Sequence, residues 1–229
     1  MRLVLASDTH TKHRHLGDLP RGKYLLYAGD CLASGNIIEL MSFVNWLTEQ
    51  APRFDRVIMV AGNHDVAFQT YPNLARRLLT QVPNLTYLED SGTQLDEGFN
   101  VWGSPWTEKY QGWAFNREPG KEMDTGWKLV PEDTHILLTH SPAKGILDPG
   151  PNNKKIGCAR LARRLGPKGN LKSVRLHVFG HSHDGYGQEV HNGVLHVNAA
   201  LCNAKSFPTK EPIVIDYPDR PLDEAAQEV

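Results

Sequence analysis

Short apolar runs that end abruptly in polar residues recur along the chain. Each run is four to six residues long and rich in Val, Leu, Ile or Tyr, which is typical of buried strands. Five such runs cover residues 3–7, 24–28, 56–61, 136–139 and 175–179. Because open parallel sheets hold their sites at the carboxyl ends of strands, the polar residues that follow each run are candidates for function.

Between these runs, apolar residues recur at helical spacing. Residues 37–50 carry five apolar residues at the spacing of one helix face, directly after Gly35 and Asn36, which can open a helix. Helices are also predicted for residues 73–79 and for the basic segment 157–165. The alternation of strand and helix predicts crossover connections around a parallel sheet.

Other parts of the chain have a different pattern. Residues 85–105 and the last apolar segments show short strands separated by turns, which predicts a second, mixed sheet packed on the first within a single domain, 1–229. Residues 106–128 form a long segment rich in aromatic residues, expected to be either a functional lid or disordered. Its aromatic residues favour ordered packing, and the acidic end, 223–229, is expected to fray.

The composition excludes several classes of protein. With 229 residues, 40% hydrophobic and 22% charged, the chain has an ordinary globular profile. A net charge of -1 provides no field that would attract nucleic acid or an anionic membrane. The three cysteines are irregularly spaced, which fits a reducing compartment. The first apolar run is too short for a signal or a membrane span, so we expect a cytoplasmic protein.

The residues at the ends of the predicted strands form one chemical set of carboxylates, imidazoles and one carboxamide. They are Asp8, His10, Asp30, Asn63, His64, Asp65, His140, His181 and His183. Such groups suit manganese, iron, zinc or nickel ions. They are too many for one tetrahedral zinc site and enough for two ions if a carboxylate bridges them. The set contains no sulfur, which excludes a thiolate zinc site or an iron–sulfur cluster.

Each of these residues alone is better explained by structure than by function. Asp8 and Asp30 suit turns, and His140 suits a core histidine bonded to backbone. Only their joint occurrence after five strands favours a metal site. The other histidines lack this context and are not expected to be ligands, although His13 and His15 are expected to line the entrance, and His177 to face the core or a neighbouring helix.

At this point the sequence resembles a known family. The motifs are D-x-H at 8–10, G-D at 29–30, G-N-H-D at 62–65, His140 and G-H-x-H at 180–183, and they are similar to the five blocks of the calcineurin-like metallophosphoesterases. Further stretches, among them GSPW at 103–106, WAFN at 113–116 and HVFGHSHDGYG at 177–187, resemble the metallophosphoesterase-domain-containing subgroup. Some animal members of that subgroup have glycine where this chain has His181.

The resemblance implies a four-layer α/β/β/α sandwich of two mixed β-sheets flanked by helices, with two divalent ions at one end. Manganese is favoured, with iron, zinc, nickel or magnesium as alternatives. The implied ligands of the first ion are Asp8, His10, Asp30 and His183, and those of the second are Asp30, Asn63, His140 and His181. The resemblance also implies that His64 is the acid that assists the leaving group and that Asp65 orients it.

The implied reaction is hydrolysis of small phosphodiesters such as 2′,3′-cyclic nucleotides, by attack of a metal-bridging hydroxide. The same core also serves phosphomonoesterases and protein phosphatases, so the motifs leave that alternative open. A nucleotide-binding scaffold of low activity would be favoured by a lost ligand, and none is lost. A nuclease acting on a nucleic-acid polymer is disfavoured, although the basic residues of 160–172 could form a local patch.

Overall fold

The protein is described by a computed structural model that covers residues 1–218. Within this range the strands are β1 (Arg2–Ala6), β2 (Tyr24–Tyr27), β3 (Arg56–Met59), β4 (Leu85–Tyr87), β5 (Ser91–Gln94), β6 (Asn100–Ser104), β7 (Thr107–Glu108), β8 (Asn116–Arg117), β9 (Ile136–Thr139), β10 (Leu176–Phe179), β11 (Gly187–His191), β12 (Val194–Asn198) and β13 (Ile213–Asp216). The α-helices are α1 (Ile37–Gln50), α2 (Val66–Thr70), α3 (Pro72–Leu79), α4 (Lys121–Trp127) and α5 (Ala159–Leu165).

The strands form two mixed sheets. The first has the order β13-β1-β2-β3-β4, in which β1 to β4 are parallel and β13 is antiparallel to β1. The second has the order β11-β12-β10-β9-β6-β5, with parallel strands in the centre and antiparallel strands at both edges. The parallel strands of each sheet therefore end on a common edge.

Alternation along the strands builds three apolar layers. Leu3 and Leu5 of β1 pack between the two sheets with residues such as Val178 of β10. The intervening Val4 and Ala6 pack on the outer side, in a cluster that includes residues of α1 and α3. A third cluster joins α4 and α5 to the outer face of the second sheet. The order helix, sheet, sheet, helix confirms the predicted four-layer α/β/β/α sandwich.

Some sequence predictions are wrong in detail. The segment 106–128 is not a continuous loop, because it contains the short pair β7 and β8 and helix α4. β4 joins the first sheet beside β3 and does not join the second sheet. The helix predicted over 37–50 is confirmed as α1. The single domain over 1–229 stays a prediction, and its expected frayed end lies outside the described residues.

No helix among residues 1–218 is both long enough and apolar enough to cross a bilayer.

Two buried histidines pair on neighbouring strands of the second sheet. His177 of β10 and His196 of β12 are in register, and their Nδ1 atoms lie 3.1 Å apart. His177 Nε2 is 2.8 Å from the Thr139 hydroxyl, which itself donates to the carbonyl of Ser141. One of the two facing Nδ1 atoms must therefore lack a proton, so the two imidazoles cannot both be charged. Burial lowers the pKa of His177 well below its ordinary value, and burial with the charge of His191 lowers the pKa of His196 to about 4.

These histidines should make folding stability depend on pH. A histidine whose pKa is lowered by folding contributes stability above its unfolded pKa of about 6.5 and loses it as the pH falls towards the folded value. We therefore expect the free energy of unfolding of wild type, relative to that of His196→Gln, to be roughly 1 kcal/mol lower at pH 5.5 than at pH 7.5. Urea unfolding of both proteins in the presence of a chelator would measure this difference. A difference that stays constant or increases as the pH falls would contradict the lowered pKa of the buried histidines.

Candidate functional site

The strand ends of both sheets meet at one edge of the sandwich. Asp8 and His10 follow β1, Asp30 follows β2, and the GNHD segment follows β3 in the first sheet. From the second sheet, His140 follows β9, and His181 and His183 follow β10. Contacts of 3.8 Å or less link Asp8, His10, Asp30, Asn63, His140, His181 and His183 into one connected group.

Asp8, His10 and His183 surround one point, and Asp30 lies beside it next to His10. His10 Nε2 lies 3.0 Å from His183 Nε2, and His183 Nε2 lies 3.3 Å from Asp8 Oδ1. His10 Nε2 is 3.8 Å from Asp30 Oδ2. Ligands bound to one ion at about 2.0–2.2 Å are themselves separated by roughly 3 Å. The spacing of these atoms therefore fits a single divalent ion.

A second group shares Asp30 with the first. His140 Nε2 lies 3.3 Å from Asp30 Oδ2 and 3.1 Å from Asn63 Oδ1. His181 Nδ1 lies 2.8 Å from the same oxygen of Asn63. Carboxylate, amide and imidazole groups are again spaced as ligands of one ion are. Asp30 thus faces both groups, and Asp8 also lies within 4.8 Å of ligand atoms of Asp30 and His140.

Backbone carbonyls fix how the imidazoles are turned. The Nδ1 atoms of His10, His140 and His183 donate to main-chain carbonyls 3.1, 2.7 and 2.9 Å away. This leaves the Nε2 lone pairs pointing inward, an arrangement usual for histidines that bind metal. The lone pairs of His10 and His183 then face each other at 3.0 Å, which is unfavourable unless a cation lies between them. The donor set therefore fits a divalent metal.

The backbone that delivers these groups is strained. Asp8, His10, Asp30 and His181 have φ angles of 54°, 42°, 54° and 66°, in the left-handed region that residues other than glycine rarely adopt. Such strain concentrates at functional sites, where the surrounding structure holds it in place. A Cβ atom on Gly62 would collide with Asp30, and one on Gly180 would collide with Asp8, so both motif glycines are needed for close approach.

Neighbouring imidazoles keep the two buried aspartates ionised. Burial raises the pKa of Asp8, but the hydrogen bond with His183 and the charge of His140 outweigh it and lower that pKa to about 2. Burial likewise opposes ionisation of Asp30, yet the charge and hydrogen bond of His140 lower its pKa below the ordinary value. Burial, with the charge of His140, lowers the pKa of His181 to about 4. Against the effect of burial, the charge of Asp30 in turn raises the pKa of His140 to about 9. Two buried carboxylates kept ionised beside imidazole nitrogens make a site suited to cations.

His64 and Asp65 do not contact each other as the resemblance implied. The Asp65 carboxylate accepts hydrogen bonds from the backbone N–H groups of Asp30, Leu32 and Gly62, at 2.8–2.9 Å. His64 Nδ1 instead lies 2.7 Å from the carbonyl of Ala33. The prediction that Asp65 orients His64 is therefore wrong: Asp65 holds together the two loops after β2 and β3, and Ala33 orients His64.

The position of His64 leaves its role open to test. Its backbone N–H donates to Asp30 Oδ1 at 2.8 Å, and its ring lies edge-on to that of His10, with centroids 4.7 Å apart. A ring nitrogen of His64 also falls close enough to His10 and Asp30 to complete a third possible group of metal ligands. Because Nδ1 is hydrogen-bonded to the carbonyl of Ala33, only Nε2 of His64 is left to bind a metal or to donate a proton.

A cavity of about 510 Å³ opens over the site. Its floor includes Asp30, Asn63, His64, His181 and His183, and its walls include Tyr110, Trp113, Pro151, Asn152, Lys154 and Ile156. This volume lies in the range of small-molecule pockets. Trp113 belongs to the WAFN stretch that the sequence singled out, whereas Tyr110 lies outside that stretch and was missed.

Residues outside the strand ends are placed differently from some expectations. His13 is buried against Phe43 and Trp46 of α1 and so does not line the entrance as predicted. The basic residues Arg163 and Arg164 of α5 pair with Asp124 of α4, at 3.3 and 3.1 Å. This pairing leaves less free positive charge on α5 than its sequence suggests.

Comparisons with known proteins agree with this geometry. A family model described as calcineurin-like phosphoesterase matches residues 1–185. The chain is 34% identical to human Metallophosphoesterase domain-containing protein 1, over 95% of this chain and 71% of that protein. UPF0046 protein K07C11.7 of Caenorhabditis elegans is 31% identical over 97% of this chain and 77% of that protein. The crystal structure of TT1561 of Thermus thermophilus aligns with a TM-score of 0.55 over 87% of this chain and 90% of that chain, at 14% identity, which shows a shared fold.

Proposed function

The chain belongs to the calcineurin-like phosphoesterase family and is a metal-dependent phosphoester hydrolase, and from this we propose that it is a phosphodiesterase with a dinuclear site. Small diesters such as 2′,3′-cyclic nucleotides are the proposed substrates. The observation that carries the proposal is the pair of donor groups that share Asp30.

The proposed ligands follow from these two groups. Asp8, His10, Asp30 and His183 would hold one ion, and Asp30, Asn63, His140 and His181 the other. We favour manganese for both positions, because carboxylate and amide oxygens suit it. When bound, a pair of divalent ions neutralises the phosphoryl oxygens and lowers the pKa of water at the site.

His64 is the proposed proton donor of the reaction. Because its Nδ1 donates to Ala33, the imidazolium form carries its second proton at Nε2. Water that has given up a proton to solvent adds to phosphorus, the bond from phosphorus to the leaving oxygen breaks, and that oxygen takes the electron pair and the His64 proton. An imidazolium whose other nitrogen is held by a carbonyl has one N–H free to donate, which suits it to this transfer.

The space above the site supports a diester substrate. A diester carries an alcohol on each side of the phosphate, and the cavity of about 510 Å³ extends well beyond the donor groups. Because its walls include aromatic and aliphatic residues, the cavity is better suited to hold an organic group attached to the phosphate than to hold water. A phosphomonoesterase or protein phosphatase on the same donors remains the alternative, whereas the intact donor set speaks against a scaffold of low activity.

The surroundings support a small substrate in a reducing compartment. The pairing of Arg163 and Arg164 with Asp124 weakens the basic patch that a nucleic-acid polymer would need. Cys31, Cys158 and Cys202 are buried free thiols, as is usual in proteins of the cytoplasm. We therefore propose a cytoplasmic enzyme with a nucleotide-sized substrate.

A substrate panel tests the proposal. We expect manganese-loaded protein to hydrolyse bis-p-nitrophenyl phosphate faster than p-nitrophenyl phosphate, and to hydrolyse 2′,3′-cyclic nucleotides. Both esters release the same chromophore, so initial rates at equal protein concentration give the comparison, with chelated protein as the control. A much faster rate on the monoester would replace the diesterase assignment by a monoesterase.

A further inference from the structure

The segment between β7 and β8 projects two aromatic residues into the cavity. Tyr110 and Trp113 both line it, and Trp113 lies next to His64. Tyr110 is 67% exposed, which is unusual for a large hydrophobic residue that has no function at the surface. An aromatic ring left open beside a cavity is a feature of ligand-binding walls.

This segment is held rigidly by hydrogen bonds at its base. The Asn116 amide donates to the carbonyls of both Tyr110 and Trp113, at 3.2 and 3.0 Å, and its oxygen accepts from Thr107 at 3.1 Å. The Ala114 N–H donates to the carbonyl of Asn63 at 3.0 Å. The backbone of the metal-binding strand end and the aromatic wall are therefore fixed relative to each other, before any substrate binds.

Trp113 lies directly beside the proposed proton donor. Its ring centroid is 4.0 Å from that of His64, with the two rings inclined by 33°. Because His64 serves the leaving oxygen, the group attached to that oxygen must lie next to this wall. Trp106 is engaged elsewhere, since its Nε1 donates to Asp90 at 2.8 Å and the Arg117 guanidinium lies 3.8 Å from its ring.

We propose that Tyr110 and Trp113 form a subsite for the planar base of the nucleoside that carries the leaving oxygen. This inference rests on the proposed phosphodiesterase function and adds the class of leaving alcohol: one that carries an aromatic ring. Pro151 and Ile156 line the same cavity and supply further apolar surface for a flat ring. Stacking between bases and aromatic side chains tolerates any base, so the subsite selects for a base without reading its identity.

Calorimetric titration with AMP and with ribose 5-phosphate separates the base from the phosphate. We expect metal-loaded wild type to bind AMP roughly 5- to 150-fold more tightly than ribose 5-phosphate, the range of one stacking interaction. Tyr110→Ala and Trp113→Ala should lose most of that difference and keep the affinity for ribose 5-phosphate. Trp113→Phe, which retains a ring, should restore much of it.

Tyr71 provides a matched control. It is 54% exposed and lies before α3, and it is absent from the cavity lining, so Tyr71→Ala should bind both ligands as wild type does. Equal affinity of wild type for AMP and ribose 5-phosphate would overturn the subsite. So would an equal loss for both ligands in Trp113→Ala, which would show that Trp113 acts only through His64. A faster rate on the monoester than on the diester would contradict the proposed phosphodiesterase function. The difference in affinity between AMP and ribose 5-phosphate could still be measured, so the two proposals can fail separately.

Discussion

Asp30→Asn is expected to remove the bound metal and to reduce turnover at least about a thousandfold. The expectation follows from the position of Asp30 Oδ2, which lies 3.8 Å from His10 Nε2 in one donor group and 3.3 Å from His140 Nε2 in the other. The amide removes the negative charge that both ions would share, and metal ions contribute several kcal/mol to such reactions. Elemental analysis after metal loading should show about two ions per wild-type chain and almost none in the variant.

The substitution is a fair test because it preserves shape. Asn at this position retains an oxygen that can accept the hydrogen bond from the His64 N–H. Asp148→Asn is the matched control, since Asp148 is also fully buried and receives backbone N–H groups of Gly145 and Gly157, outside the donor groups. That variant should keep its metal, whatever it loses in stability.

Thermal unfolding gives a readout that is independent of activity. A metal that binds only the folded chain raises the melting temperature, so chelation should lower it in wild type and leave Asp30→Asn unchanged. One ion per wild-type chain with full activity would rule out the dinuclear site. Two ions retained by Asp30→Asn would show that this residue does not bridge them.

The residues of the site that follow the strands could be predicted from the sequence, because their convergence depends on a simple rule. Parallel strands finish at a common edge, so polar residues that follow separate apolar runs converge even when far apart in the chain. Asp8 and His183 illustrate this, lying 175 positions apart in number and 3.3 Å apart in space. Their burial and their carbonyl partners, by contrast, depend on loops that carry no periodic signal.

The aromatic segment shows what sequence could not supply. Its fixed shape comes from contacts between distant residues, such as the bond from Phe115 N–H to Gln69 Oε1 at 2.8 Å. Helix α4 is only seven residues long, too short for a clear helical period. β4 has three half-buried residues and no alternation, so nothing in the sequence assigned it to the first sheet.

The role of Asp65 was mistaken for a related reason. Its place next to His64 in GNHD suggested a contact between side chains, but adjacent residues at a turn point in different directions. In the structure its carboxylate binds main-chain N–H groups from two loops, partners that every sequence has. A motif therefore indicates which side chains matter without showing which of them touch.

His64→Ala is expected to lose activity and to keep its metal. General acid catalysis contributes about 10²–10⁴-fold, so turnover of cyclic nucleotides should fall by roughly that factor. The loss should be smaller for nitrophenyl esters, because nitrophenolate leaves without a proton whereas the alkoxide of a nucleoside needs one. Rates for both substrates and metal content for both proteins give the comparison.

His183→Ala is the counterpart that should lose metal, because His183 Nε2 lies 3.0 Å from His10 Nε2 and 3.3 Å from Asp8 Oδ1 within one donor group. The pair of variants is decisive because His64 also lies near His10 and Asp30, close enough to be a ligand itself. Loss of an ion in His64→Ala would make it a ligand. A deficit of equal size on nitrophenyl esters and cyclic nucleotides would show that the proton on Nε2 does not reach the leaving oxygen.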